Sequence, residues 1–224
     1  MKTKINYYDD ILKLVIFDLD GVITDTAKYH HLAWSSFAKS LHITLGERMS
    51  EKLKGVNRQD SLDIILNEYQ ISLSKEEKDT IIHKKNLLYQ QYLEDLTPFD
   101  ILEGIYPLIN ELKNDGKKIA VGSSSKNTTY ILNKLNITNL FDTIVTGCDV
   151  ENAKPSPDIF LLCANRLNIN PSSCLVIEDA TSGIEAANHA GMHSISVSIN
   201  PIQNSTLHVS QTCDLSIELI RKII

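Results

Sequence analysis

The stretch VIFDLDGVITDT, Val15 to Thr26, decides how the rest of the chain reads. Three apolar residues run into two aspartates, Asp18 and Asp20, separated by one leucine and followed by a glycine. Side chains two apart on a strand share a face, so both carboxylates point the same way at the strand's end. Two such charges about 4 Å apart repel by roughly 4 kcal/mol at an effective dielectric near 20. A fold keeps them together only if a cation, a lysine or a shared proton offsets that repulsion.

Apolar runs of the same kind recur along the chain: LKLVIFD (12–18), KKIAVGSS (117–124), DTIVTG (142–147), SCLVIED (173–179) and HSISVSI (193–199). Unbroken apolar runs of this length suit strands buried on both faces, as in a parallel sheet. Helical patterns lie between most of them. Ser156-Pro157 reads as N-cap and first helical residue of a helix through Asp158–Leu167. Ile184–Ala190 is closed by Gly191, and Ile105–Asn114 ends similarly near Gly116. Strand alternating with helix predicts an α/β fold, a Rossmann-like, doubly wound parallel-sheet core.

Residues 27–97 break the alternation. They read as helices throughout, and Ser74-Lys75-Glu76-Glu77 forms a capping box that opens a long helix to about Leu96. This block predicts an all-helical cap inserted after the first strand. The domains expected are an α/β core, residues 1–26 and 98–224, and a cap, residues 27–97. Neither the segment before Leu12 nor the region after Pro201 shows a site motif.

Composition narrows the function. The chain has 224 residues with a net charge of −6, which argues against nucleic acid as the main partner. A phosphorylated small molecule needs only a local positive site. The four cysteines, Cys148, Cys163, Cys174 and Cys213, show no metal-ligand spacing and read as buried reduced thiols, hence a cytoplasmic location. No signal peptide or membrane span is legible.

In open α/β sheets the ligand site lies beyond the carboxyl ends of the strands. Collecting the residues there gives Asp18 and Asp20, then Ser123-Ser124-Ser125-Lys126-Asn127, then Lys154-Pro155, then Glu178-Asp179. Hard oxygen ligands from two strand ends suit Mg²⁺. A carboxylate beside a metal is a competent nucleophile on phosphorus, and a second aspartate two residues on can give and take a proton. Lys154 and Ser123 supply charge and a donor for phosphoryl oxygens, and the SSSKN turn offers backbone N–H groups and a helix start. Singly, each has a plainer alternative: a turn lysine for Lys154, a solvated helix start for Glu178-Asp179, a capping cluster for the serines. Their joint appearance at successive strand ends points to one active site.

DLDGVxTD, the serine ending the next core strand, the Lys-Pro pair and the Glu-Asp pair together resemble the haloacid dehalogenase (HAD) superfamily of aspartate-nucleophile phosphotransferases. The resemblance runs from Leu14 to about Val197. Within it, FDLDGVITDTAKYHHLAW, LKGVNRQDSL, HKKN, SSSKN and AKPSPDIF resemble the sugar-phosphate mutases. The resemblance implies Asp18 as nucleophile, Asp20 as general acid–base, and Mg²⁺ on Asp18, the Asp20 carbonyl, Glu178 and Asp179. It implies Ser123 and Lys154 around the transferring phosphoryl group. Gly55 and Arg58 of the cap, with Ser125, Lys126 and Asn127 of the core, would hold the other phosphate. Thr26, His30 and Lys85 would sit at the hinge and cap. The reaction implied interconverts β-glucose 1-phosphate and glucose 6-phosphate through β-glucose 1,6-bisphosphate, in a monomer that meets small sugar phosphates and neither nucleic acid nor membrane. A sugar-phosphate phosphatase on the same core, or a phosphosugar-binding module without catalysis, are the alternatives. The cap residues have plainer readings too: His30 as packing, Arg58 as a first-turn arginine, Lys85 beside Lys84 on a solvated face.

Overall fold

A computed structural model of the protein describes residues 12–223. The segment before Leu12, which the sequence leaves unread, lies outside the described residues. Six strands, β1 (Leu14–Phe17), β2 (Lys118–Gly122), β3 (Thr143–Val145), β4 (Cys174–Glu178), β5 (His193–Val197) and β6 (Leu207–Val209), form one sheet. Its order is β3-β2-β1-β4-β5-β6 and every pairing is parallel. This is a doubly wound arrangement whose strand order reverses beside β1, between β1 and β4. In register, Phe17 of β1 stands opposite Val121 of β2 and Ile177 of β4. The aspartates after β1 therefore emerge beside the acidic end of β4.

All four residues of β1 are buried, because the sheet is covered on both faces. Val15 and Phe17 join an apolar cluster with Ile105, Leu108 and Leu112 of α5 (Ile105–Asn114) and Ile131 of α6 (Thr128–Lys134). Leu14 and Ile16 join a second cluster with Ile159 and Phe160 of α7 (Asp158–Arg166) and Ala186 of α8 (Thr181–His189). A short α9 (Ile217–Ile220) adds Ile217 and Ile220 to the first. That two-sided burial is why the strands read as continuous rather than alternating apolar runs.

The block after β1 is helical as expected: α1 (Ala27–Ser40), α2 (Glu47–Leu53), α3 (Arg58–Glu68) and α4 (Lys75–Leu93). Trp34, Ala38, Leu62, Ile65 and Leu66 form an apolar cluster of its own. The capping box is present, with the Glu77 amide donating to Ser74 Oγ at 3.2 Å and the Ser74 amide to Glu77 Oε2 at 2.8 Å. The helix ends at Leu93 rather than near Leu96, and Tyr89, Leu93 and Leu96 pack into the main core cluster. The long helix is thus rooted in the α/β body.

Two further local expectations are corrected, and one segment left unread is filled in. Helix α7 takes Pro157, not Ser156, as its N-cap; the Ser156 hydroxyl donates instead to the Asp158 carboxylate at 2.7 Å. The region after Pro201 contributes β6, whose three residues are mostly half-buried and too short to stand out as an apolar run. All four cysteines are free, but Cys148 and Cys213 are exposed and only Cys163 and Cys174 buried. Among the described residues no helix is long and apolar enough to cross a membrane.

Ile16 is fully buried in the central strand. Truncation to alanine is expected to destabilise the protein by about 2–5 kcal/mol, and Ile16→Val by only about 0.5–1.5 kcal/mol. Urea unfolding midpoints of the two variants check this; similar losses for both would show that the site collapses around the cavity.

Candidate active site

The turn after β1 holds the first two candidates. Gly21 has φ +83°, and a side chain there would run into the Asp179 carboxylate; only glycine fits both demands. The turn is pinned by backbone bonds from the Gly21 amide to the Thr24 carbonyl at 2.9 Å and from Ile23 to Leu19 at 2.9 Å. Asp18 and Glu178 stand at the ends of the adjacent strands β1 and β4. Buried Lys154 reaches between them, with Nζ 2.5 Å from Asp18 Oδ1 and 2.6 Å from Glu178 Oε1. The other oxygen of Glu178 accepts the Ala180 amide at 2.7 Å. The Lys154–Pro155 peptide is cis.

Oxygens of Asp18, Glu178 and Asp179 all lie within 4.8 Å of one another. Burial pushes the Asp18 carboxyl up to about 8, against the pull of Lys154, and Glu178 and Asp20 push it further the same way. Asp179 is raised well above the carboxylate range, first by burial and then by Glu178 and Asp18. Fully ionised, the three carboxylates against one lysine would carry two net negative charges in a nearly dry site, which is what raises Asp18 and Asp179. A divalent cation with a preference for oxygen, such as Mg²⁺, fits that donor set and charge.

Asp20 has a different environment. Its Oδ1 is buried and finds no hydrogen-bond partner among the described residues. Burial pushes its carboxyl up to about 7, opposed by Lys154 and Lys85. A carboxyl that titrates near neutrality is suited to hand a proton back and forth.

Ser123, at the end of β2, is buried, and its hydroxyl accepts the Ser125 amide at 3.1 Å; the Ser125 hydroxyl in turn accepts the Asn127 amide at 3.2 Å. This corrects the expectation that the turn offers its backbone N–H groups freely: two of them are satisfied within the turn. What it presents are side chains. Lys126 is exposed, and among the described residues neither Lys126 nor Arg58, the first residue of α3, has a carboxylate in ion-pair range.

A cavity of about 620 Å³ lies between the helical block and the ends of the strands. Of the fourteen candidate residues, ten line it: Asp18, Asp20, His30, Gly55, Arg58, Ser123, Ser125, Lys126, Asn127 and Asp179. Thr26, Lys85, Lys154 and Glu178 do not; all four are buried behind its wall. Gly55 has φ +69°, and a side chain there would meet Ser182 Oγ at 2.6 Å and Ala180 Cβ at 3.1 Å. The loop between α2 and α3 thus sits directly on the start of α8.

Lys85 is not on a solvated face; its neighbour Lys84 is. Its ammonium lies 2.9 Å from His30 Nδ1, 5.0 Å from the centre of the Trp34 ring and 4.8 Å from that of Tyr89. Burial and then Arg58 lower its pKa to about 7, with Asp20 opposing. The His30 ring packs tilted against Tyr89 at 4.0 Å, and burial, with Lys85 and Arg58, holds it well below its usual range. Sequence reasoning missed several cavity residues. Lys54 precedes Gly55, and its charge pulls Asp179 down. His31 is bonded to Ser50 at 2.7 Å. Only the adjacency of Lys54 to Gly55 was visible as a signal.

Comparison with known proteins gives a consistent picture. A family profile described as haloacid dehalogenase-like hydrolase matches residues 15–197. The chain is 44% identical over 214 residues to a β-phosphoglucomutase of Bacillus subtilis, covering 94% of this chain and 95% of that one. It is 31% identical to a phosphorylated carbohydrates phosphatase of Thermotoga maritima, covering 82% and 84%. Among solved structures, a β-phosphoglucomutase from Clostridium difficile superposes with a TM-score of 0.91 at 41% identity, covering 95% and 96%.

Two measurements test the electrostatic reading. Mg²⁺ at a hundred times its dissociation constant is expected to stabilise the fold by about 2.7 kcal/mol. Asp179→Asn should weaken that effect at least tenfold in Mg²⁺ concentration; a thermal midpoint indifferent to Mg²⁺ would mean that the cluster does not hold the ion. Lys85→Met should be more stable than the parent at pH 6, by on the order of 3 kcal/mol. The sign follows from the lowered pKa. Below about pH 7 both folded and unfolded chains carry the proton, and the folded state bears the full cost of burying it. Between about 7 and 10.5 only the unfolded chain is protonated, so the parent gains stability as pH rises and the difference fades. Urea midpoints at pH 6, 8 and 10 read it, and a constant difference would contradict the assignment.

Proposed function

Since this chain belongs to the haloacid dehalogenase-like hydrolase family, we propose that it is a β-phosphoglucomutase, interconverting β-glucose 1-phosphate and glucose 6-phosphate through β-glucose 1,6-bisphosphate. The observation that carries the reading is the pairing of two aspartates in unlike settings: Asp18 bonded to Lys154, and Asp20 unbonded at Oδ1 with a pKa near 7. Asp18 is the nucleophile. It attacks phosphorus in line, forms an aspartyl phosphate and releases the sugar oxygen, to which Asp20 delivers its proton. In the second half the other hydroxyl of the reoriented sugar gives its proton to Asp20 and takes the phosphoryl group. Splitting the transfer this way replaces one difficult step by two easier ones.

Lys154 and Ser123 neutralise and orient the transferring phosphoryl oxygens. Mg²⁺, which Asp18, the Asp20 carbonyl, Glu178 and Asp179 would hold, stabilises the charge on those oxygens when bound. The mutase must also hold the phosphate that is not reacting. Arg58 and Lys126, cations without carboxylate partners among the described residues, support that role together with Ser125, Asn127 and the Gly55 loop. His30 and Lys85 bear on the sugar and on Asp20 from the cap, and Thr26 stands at the hinge where α1 begins. Residues 27–97 act as the cap over a core of 1–26 and 98–224, excluding water once sugar is bound. The protein works as a monomer in the cytoplasm.

A phosphatase reading uses the same nucleophile, and the likeness to a carbohydrate phosphatase keeps it as the second reading. Given Mg²⁺, β-glucose 1,6-bisphosphate and β-glucose 1-phosphate, the protein is expected to produce glucose 6-phosphate with little free phosphate. Free phosphate alone would reassign the site to hydrolysis. Asp18→Asn should lower turnover by at least about 10⁴-fold, since no oxygen nucleophile is left to form the covalent intermediate; residual activity near the parent's would refute the assignment.

A further inference from the structure

The long cap helix α4 carries a second stripe beside its apolar one. Asn86, Gln90 and Glu94 fall four residues apart, the spacing that places side chains along one face of a helix. Opposite them stand Asn127, Tyr130 and Lys134, at the start, middle and end of core helix α6. The two rows bond across the gap, Asn127 meeting both Asn86 and Gln90, and Glu94 both Tyr130 and Lys134. Gln90 Nε2 donates to Asn127 Oδ1 at 3.1 Å, and Asn127 Nδ2 donates to Asn86 Oδ1 at 3.1 Å. Tyr130 Oη donates to Glu94 Oε1 at 3.3 Å, and Lys134 Nζ donates to the Glu94 carbonyl at 2.9 Å.

The seam is graded. Its Glu94 end lies next to Leu93 and Leu96, which are sunk in the main core. Its Asn127 end is the phosphate-facing turn, where Asn127 lines the cavity beside Ser125 and Lys126. An amide has one accepting oxygen and two N–H donors. With Oδ1 occupied by Gln90 and one Nδ2 hydrogen by Asn86, one N–H of Asn127 remains. Turned the other way, the same amide would present its oxygen, which repels an anion.

We propose that Asn86 and Gln90 are positioning residues: they clamp the Asn127 amide from the cap so that its nitrogen, not its oxygen, meets the phosphate that is not reacting. The clamp makes that grip conditional on where α4 lies. Movement of the cap that parts Asn86 and Gln90 from Asn127 frees the amide to rotate, and the phosphate turn loses a fixed donor. The inference rests on the mutase reading for the identity of the phosphate, and on the seam alone for the clamp.

A double-mutant cycle on the affinity for inorganic phosphate, read by calorimetry, tests it with Gln90→Leu, Asn127→Ala and the pair. Gln90→Leu is expected to weaken binding about three- to tenfold, the worth of one hydrogen bond, and to add less than twofold once Asn127 is alanine. Gln90→Glu should weaken it further than leucine does, because a carboxylate accepts from Nδ2 and turns Oδ1 toward the anion. Hydrolysis of p-nitrophenyl phosphate, which has no second phosphate, should fall less than twofold in Gln90→Leu while the KM for β-glucose 1-phosphate rises. Additive effects in the cycle, a glutamate no worse than leucine, or an equal fall in p-nitrophenyl phosphate hydrolysis would each overturn the clamp. A parent protein that isomerises no sugar yet shows the non-additive cycle would overturn the mutase reading and leave the clamp standing.

Discussion

A buried ammonium held between two buried carboxylates is the constraint around which the active site is arranged. Taking Lys154, Asp18 and Glu178 out of water costs several kcal/mol per ion, and only close mutual pairing offsets it. The 2.5 and 2.6 Å contacts supply that pairing, and they demand that the ends of β1 and β4 be neighbours. The sheet order provides it, since β1 and β4 adjoin where the winding reverses. Around the trio the backbone gives way to side chains: a Cβ on Gly21 would collide with Asp179, and one on Gly183 with Glu178. The carboxylates occupy space that any larger residue would deny them.

The helical cap adds the opposite electrostatic problem. The core gathers negative charge, whereas the cap brings Lys54 and Arg58 to the cavity wall, with Lys85 buried behind it. Asp20 is raised to about 7 and Lys85 lowered to about 7, both chiefly by burial, and each opposes the other's shift. Each thus favours the charged form of the other. Because one partner belongs to the core turn and the other to α4, their mutual influence depends on the cap's position. The polar seam from Asn86 to Glu94 lies along the same helix, so one element reaches both the surroundings of Asp20 and the turn at Asn127.

The sequence determined what short-range rules can encode. Apolar runs named the first five strands, since a strand buried on both faces needs no distant information to be seen. The capping box at Ser74 and the glycine ends at Gly116 and Gly191 follow from backbone groups satisfied within a few residues. The acidic and basic residues at the strand ends were legible because a parallel sheet sends all those ends to one rim. Tertiary structure alone decided the rest. It buried Lys85 and left Lys84 in water, turned the Ser123 and Ser125 hydroxyls onto their own backbone, exposed Cys148 and Cys213, and added β6. It also tied Asn127 to Asn86 and Gln90, partners about forty residues away. Each of these depends on which surfaces meet after the helices dock, and residue spacing carries no record of a partner contributed by another element.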